Sequence, residues 1–151
     1  MNRKRILIGR KDIADFPELG LNEIEVKVDS GAYTSSFHCA SINKHMEGEQ
    51  EVIRCIFLDP DHPQYHEKEF CFDHFNIRKV KSSNGIVEER FSIFTKIEIF
   101  DETFTVELTL TERADMKHPV LLGRKFTSKK FLIDTSRKNL SFNKKIIQVE
   151  I

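Results

Sequence analysis

The 151-residue chain has no tryptophan, 4 prolines, 6 glycines and 3 cysteines, and it carries no net charge at pH 7. So few prolines and glycines, beside 39% hydrophobic residues, exclude disordered and collagen-like sequence. Cys39, Cys55 and Cys71 are odd in number and contain no C-x-x-C, which argues against a disulfide framework or a zinc ribbon. The balance of 24 basic against 24 acidic side chains gives no global field to attract nucleic acid or a membrane surface. No apolar run approaches the ~20 residues of a bilayer span. The four-residue apolar core of MNRKRILIGRKD is too short for a signal-peptide h-region. These absences predict a cytoplasmic protein of a reducing compartment, with no cofactor and no membrane or nucleic-acid partner.

The chain is rich in phenylalanine, with 13 residues, and frequent Ile, Val and Thr favour strands. Arg5–Gly9 reads as a first strand and Phe16–Gly20 as a turn. Ile24, Val26 and Val28 alternate with Glu25 and Lys27 as in a half-buried strand. Strands are also expected over Glu51–Leu58, Glu69–Ile77, Val120–Gly123, Phe131–Ile133 and Leu140–Phe142. Asn84-Gly85 between two strand-like runs is a hairpin signal, and a second hairpin is expected from Glu88 to Leu110 around Asp101-Glu102. One helical turn is expected over Thr111–Lys117 and a short helix over Arg124–Lys130. Length and pattern together predict a single all-β domain over residues 1–151, a barrel or sandwich with little helix.

Two segments bear on chemistry. In Val26-Lys27-Val28-Asp29-Ser30-Gly31-Ala32, a strand delivers a carboxylate into a turn where Gly31 brings its N–H close and Ser30 offers a hydroxyl. A strand ended by an Asx-type turn gives the same string without any chemistry. About ninety residues later comes Leu121-Leu122-Gly123-Arg124, which by itself is a core strand stopped by glycine.

Taken together, Asp29-Ser30-Gly31-Ala32, Ser83-Asn84-Gly85 and Leu121-Leu122-Gly123-Arg124 resemble the retropepsin-like aspartic proteases: an apolar strand into D-[ST]-G-A, a Gly-tipped flap, then two apolar residues and Gly. More narrowly, the chain is similar to the bacterial and archaeal family named ATP-dependent zinc protease, whose members accompany RimK-type ATP-grasp ligases. Ile8-Gly9-Arg10, Pro17–Gly20, Lys27–Ala32, Thr34-Ser35, Val80–Ser83, Leu108–Leu110, Arg113, Met116 and Pro119–Arg124 carry that similarity. Tyr33 departs from the basic residue expected there, and Ser30 replaces the commoner threonine.

The resemblance implies a closed retropepsin-like barrel with a flap hairpin and one short helix. It implies a homodimeric aspartic endopeptidase that hydrolyses peptide bonds with one Asp29 from each subunit, Ser30 and Gly31 completing the catalytic loop. Substrate would contact Ala32, Ser82, Ser83, Asn84, Gly85 and Leu122, while Thr34, Gly123 and Arg124 would hold the active loop or the dimer. Glutamate tails added by an ATP-grasp ligase are an implied substrate, with Arg10, Lys79, Lys81 and Arg113 as candidate basic contacts. A non-catalytic, peptide-binding partner of such a ligase remains the competing class.

No metal site is expected: H-E-x-x-H is lacking, and His38, His45, His62, His66, His74 and His118 are scattered. No G-x-x-x-x-G-K-[ST] string supports ATP binding. Asp134-Thr135-Ser136 follows an apolar run but has serine where the motif needs glycine, so it is expected to be a structural strand end. Cys55 and Cys71 are expected as small core residues.

Overall fold

A computed structural model describes residues 5–81, 84–112 and 117–144. The described elements run, in chain order, β1 (Ile6–Ile8), β2 (Lys11–Phe16), a 3-10 turn (Pro17–Leu19), β3 (Leu21–Val28), β4 (Ser35–Glu47), β5 (Gln50–Phe57), β6 (Phe70–Phe72), β7 (Asn76–Lys81), β8 (Val87–Ile99), β9 (Glu102–Thr111), β10 (Val120–Leu122), α1 (Arg124–Thr127) and β11 (Phe131–Ile133). The fold is all-β, as expected. Six strands close on themselves in the order β10–β3–β2–β8–β9–β4, and β4 returns to pair with β10. The lone β2–β8 register pair, Asp15 with Glu98, makes that seam the narrowest.

Alternation selects the inward face. Ile24, Val26 and Val28 of β3 are buried, as are Ile93, Thr95, Ile97 and Ile99 of β8. The register shifts between Ala14 and Phe16, so β3 carries an extra residue; Leu21 and Ile24 both point inward although three positions apart. The Asp15 carboxylate accepts the N–H of Glu23 at 2.8 Å at this bulge, where Glu23 has φ 54°.

Phenylalanine fills much of the interior. Phe16, Phe37 and Phe57 form a chain of edge-to-face contacts, with centroids 5.1 and 4.9 Å apart, that extends to Phe70 and Phe72 of β6. Phe104, Phe126 and Phe131 make a second cluster between β9, α1 and β11. Edge-to-face pairs add about 0.5–1.5 kcal/mol each beyond the area they bury.

Two expectations are corrected, and two strands appear that were not expected. Residues 140–144 are helical rather than a strand over Leu140–Phe142. Lys11–Phe16 and Ser35–Glu47 are strands in segments for which the sequence offered no strand pattern. Cys71 is exposed on β6, whose pairing is to β5, while Cys39 and Cys55 are buried. Burial pushes the Cys39 thiol well above its ordinary value, reinforced by neighbouring Cys55. Most of the Thr111–Lys117 turn lies outside the described residues.

The helix at 140–144 is capped from far along the chain. Asp12, fully buried on β2, accepts the N–H of Ser141 at 2.9 Å on Oδ2 and those of Phe142 and Ile13 at 3.1 and 2.8 Å on Oδ1. A carboxylate there satisfies donors that helix geometry leaves open and complements the positive end of the peptide dipoles. Asp12→Asn replaces one acceptor oxygen with a donor NH2, turning at least one of these bonds into an opposition of donors. The expected loss is about 2–3 kcal/mol, read as a lowered urea midpoint with unchanged slope. A midpoint indistinguishable from wild type would show that the cap contributes nothing.

Candidate active site

Strands β3 and β4 both flank β10, the first parallel to it and the second antiparallel. The chain leaving β3 must therefore cross the end of β10 to reach β4, and residues 29–34 make that crossing. The Asp29 N–H donates to the Leu122 carbonyl at 2.9 Å, continuing the β3–β10 ladder by one residue. Next, Ala32 donates its N–H to the Asp29 carbonyl at 3.2 Å and closes a tight turn. The Gly31 N–H reaches Asp29 Oδ1 at 3.0 Å. A Cβ on Gly31 would lie 3.2 Å from that same oxygen, so a side chain would crowd the carboxylate.

The far side of the loop is held by α1. The N–H groups of Arg124 and Lys125 donate to the carbonyls of Ala32 and Tyr33, each at 2.9 Å. The Arg124 guanidinium donates to the Ser30 carbonyl at 2.8 Å and lies 5.9 Å from the centre of the Tyr33 ring. Below, Ser35 Oγ accepts the Gly123 N–H at 3.0 Å. Gly123 has φ −91°, an ordinary value; glycine is needed there because a Cβ would sit 2.5 Å from the Thr34 carbonyl oxygen and 2.6 Å from that of Tyr33.

Above the loop stands the β7–β8 hairpin, registered from Asn76 with Ser92 to Lys81 with Val87. Between them is a cleft of about 550 Å³ lined by Asp29 to Thr34 on the floor side (Ser30 aside), by Lys79, Val80 and Lys81 of β7, and by Arg124. Among the described residues Asp29 is the only carboxylate lining it, and no described side chain or N–H bonds its Oδ2. The walls are basic.

The flap base and the floor meet at Glu107 on β9. Its Oε1 accepts from Lys125 Nζ at 2.5 Å; its Oε2 accepts from Arg78 Nε and from Ser92 Oγ, both at 2.7 Å. Burial by itself pushes this carboxyl up, but the hydrogen bonds from Lys125, Ser92 and Arg78 and the charge of Lys125 bring it down to about 2. Nothing in the sequence near Glu107 marks it, because its partners come from three other elements.

Several expected residues lie elsewhere. Leu122, expected against substrate, is fully buried in the core, and its carbonyl accepts the Asp29 N–H. Ser82, Ser83, Arg113 and Met116 lie outside the described residues. Asn84 and Gly85 sit at the flap turn, beyond the described cleft lining. Arg10 lines a different basic hollow with Lys11, Lys27, Val28 and His118. Asp134 follows β11 and accepts both the N–H and the hydroxyl of Ser136, which hold its carboxyl below the ordinary range; it does not line the cleft. Among the described residues no three His, Cys, Asp or Glu side chains converge as metal ligands. Nor is any described helix long and apolar enough to cross a membrane.

A Legionella pneumophila protein of unknown function, known from a structural-genomics crystal structure, superposes with a TM-score of 0.69 at 20% identity, covering 91% of this chain and 99% of that one. That likeness concerns the fold. Among curated relatives, a probable alpha-L-glutamate ligase of Shewanella halifaxensis is 36% identical over 141 residues, covering 90% of this chain and 30% of the relative. One of Parasynechococcus marenigrum with the same description is 31% identical over 135 residues, covering 87% and 28%. The chain thus spans less than a third of the length of these two relatives. The family described as "Retropepsin-like aspartic endopeptidase RimB" matches residues 7–144, a description that names aspartic rather than zinc chemistry. With the Asp29 loop crossing β10 beneath a hairpin, and with that match over most of its length, the chain belongs to the RimB-like family of retropepsin-like aspartic endopeptidases.

Proposed function

We propose that the protein is a homodimeric aspartic peptidase in which Asp29 of each subunit contributes half of the catalytic pair. The observation that carries this reading is the isolation of Asp29: one oxygen is oriented by the Gly31 N–H, and no second carboxylate lines the described cleft. Aspartic hydrolysis needs two carboxylates sharing one proton. The ionised member takes a proton from the attacking water while the protonated member polarises the scissile carbonyl, and no covalent intermediate forms. A twofold axis through the Asp29 loops supplies the partner from an identical surface. The pair titrates as a unit.

The proposed substrate is an acidic peptide, such as a glutamate tail added by an ATP-grasp ligase. Lys79, Lys81 and Arg124 supply positive charge around Asp29, and the curated relatives named as glutamate ligases carry a region similar to this chain. The names of those relatives also favour a second reading, a non-catalytic domain that binds the ligase or its product. Loss of mass from a glutamylated protein on incubation with the chain supports the peptidase. No loss, beside a control protease that works, rejects the tail as substrate.

Oligomeric state is the first measurement. Sedimentation is expected to show a wild-type dimer. Arg124→Ala removes the charge-assisted bond to the Ser30 carbonyl, a bond of about 1.5–3 kcal/mol, and is expected to weaken dimerisation about tenfold or more by loosening a loop at the axis. A wild-type monomer persisting at high concentration would leave Asp29 without its partner and move the binding reading ahead.

A further inference from the structure

We propose that Glu107 is a positioning residue that sets the flap over the catalytic loop, one carboxylate oxygen holding the flap strand and the other holding the helix beneath the floor. The division of labour is in the bonds. Oε2 receives Arg78 of β7 and Ser92 of β8, the two strands of the flap hairpin near its base. Oε1 receives Lys125 of α1. Lys125 is already joined to the floor, because its N–H donates to the Tyr33 carbonyl. A continuous path therefore runs from the flap through Arg78, Glu107 and Lys125 to the loop that holds Asp29.

The chemistry suits a fixed tie. The Glu107 side chain is only 7% exposed, whereas Arg78 and Lys125 are 43% and 44% exposed. The carboxylate is thus the buried anchor onto which two long, half-exposed cations close. Charge-assisted bonds of this kind hold direction as well as energy. Arg78 belongs to the same short strand as Lys79 and Lys81, which line the cleft. Fixing Arg78 fixes the height of those lysines above Asp29. Neutralising Glu107 would release both the strand above the cleft and the helix beneath its floor.

That this tie serves a substrate cleft rests on the peptidase reading; the tie itself is measured without substrate. Amide hydrogen exchange on the full 151-residue chain compares wild type, Glu107→Gln and Arg78→Gln. In Glu107→Gln, amides of β7, of residues 87–92 and of the loop at 30–34 are expected to exchange at least about tenfold faster, while those of β2, β3 and β9 keep wild-type protection. Arg78→Gln cuts only the flap end of the path, on a half-exposed side chain with little risk to folding. It is expected to accelerate the flap amides and spare the loop. Unchanged flap exchange in both variants overturns the proposal. Uniform acceleration throughout the ring in both variants also overturns it, because Glu107 would then be an ordinary element of stability. With any peptide the wild type cleaves, Glu107→Gln is expected to raise KM several-fold and leave kcat within about threefold, and Glu107→Asp to restore part of the loss. Failure of wild type to cleave peptides counts against the peptidase reading and leaves the exchange result to decide the tie.

Discussion

On the peptidase reading, replacing Asp29 with asparagine is expected to abolish peptide hydrolysis while leaving the fold and the proposed dimer intact. The expected fall in kcat/KM is about 10³-fold or more, at the upper range for removing a general acid or base. Asparagine keeps a carbonyl oxygen where Oδ1 stands, so the Gly31 N–H retains its acceptor and the loop its shape. On the proposed mechanism, what is lost is the capacity to take a proton from water and return it to the leaving amine. Stability is expected to stay within about 1 kcal/mol of wild type. Dimerisation is expected to hold, since an amide pair across the proposed axis can replace the shared-proton hydrogen bond of the two carboxyl groups with an N–H···O bond. Turnover of a glutamylated substrate is the direct measurement, with unfolding and sedimentation as controls. Retention of full activity by a folded Asp29→Asn dimer would remove Asp29 from the chemistry and the aspartic mechanism with it. Retained stimulation of a ligase by the inactive variant would favour the binding reading.

How far the sequence announces this arrangement depends on where each residue finds its partners. Strand β3 was legible because Ile24, Val26 and Val28 alternate with charged neighbours, and its end was legible because Asp29-Ser30-Gly31 is a local turn whose Gly31 N–H bond spans two residues. Strand β10 could be read as a buried apolar run, and Asn84-Gly85 as the turn of a hairpin. Strand β2 was not, because its inward positions are Asp12, Ala14 and Phe16, and a buried carboxylate inverts the expected pattern. The start of β4 was obscured in the same way: Ser35, Ser36 and His38 are buried polar residues. Ser35 is inside because its hydroxyl takes the Gly123 N–H and its carbonyl takes Thr109 Oγ1. Helix 140–144 is capped by a residue 129 positions away, and Glu107 gathers its donors from β7, β8 and α1. Local pattern reports local bonds; these features are made of distant ones.

Gly123→Ala is expected to be the most damaging substitution of a single methyl group in the chain's active region. The glycine is not there for its backbone angles, which alanine adopts freely at φ −91°. It is there because β10 ends under the loop, and an added Cβ would lie 2.5 Å from the Thr34 carbonyl oxygen and 2.7 Å from its carbon. Neither atom belongs to a flexible side chain, so the loop itself must lift. Lifting strains the Arg124 and Lys125 N–H bonds to Ala32 and Tyr33 and the Gly123 bond to Ser35. Overpacking of this kind costs about 1–3 kcal/mol, and each weakened bond adds about 1 kcal/mol. The expected total is about 4–6 kcal/mol by those same increments, enough to unfold a domain at the low end of ordinary stability or to leave it inactive with a displaced Asp29. Gly48→Ala separates this cause from glycine's general flexibility: Gly48 has φ +63° with nothing within 4 Å of its added Cβ. Its expected cost is about 1–2 kcal/mol, from the left-handed backbone alone. Urea unfolding of the two variants gives the comparison. If Gly123→Ala proved as mild as Gly48→Ala, the loop would have room to move away from β10, and the rigid seat proposed for Asp29 would not exist.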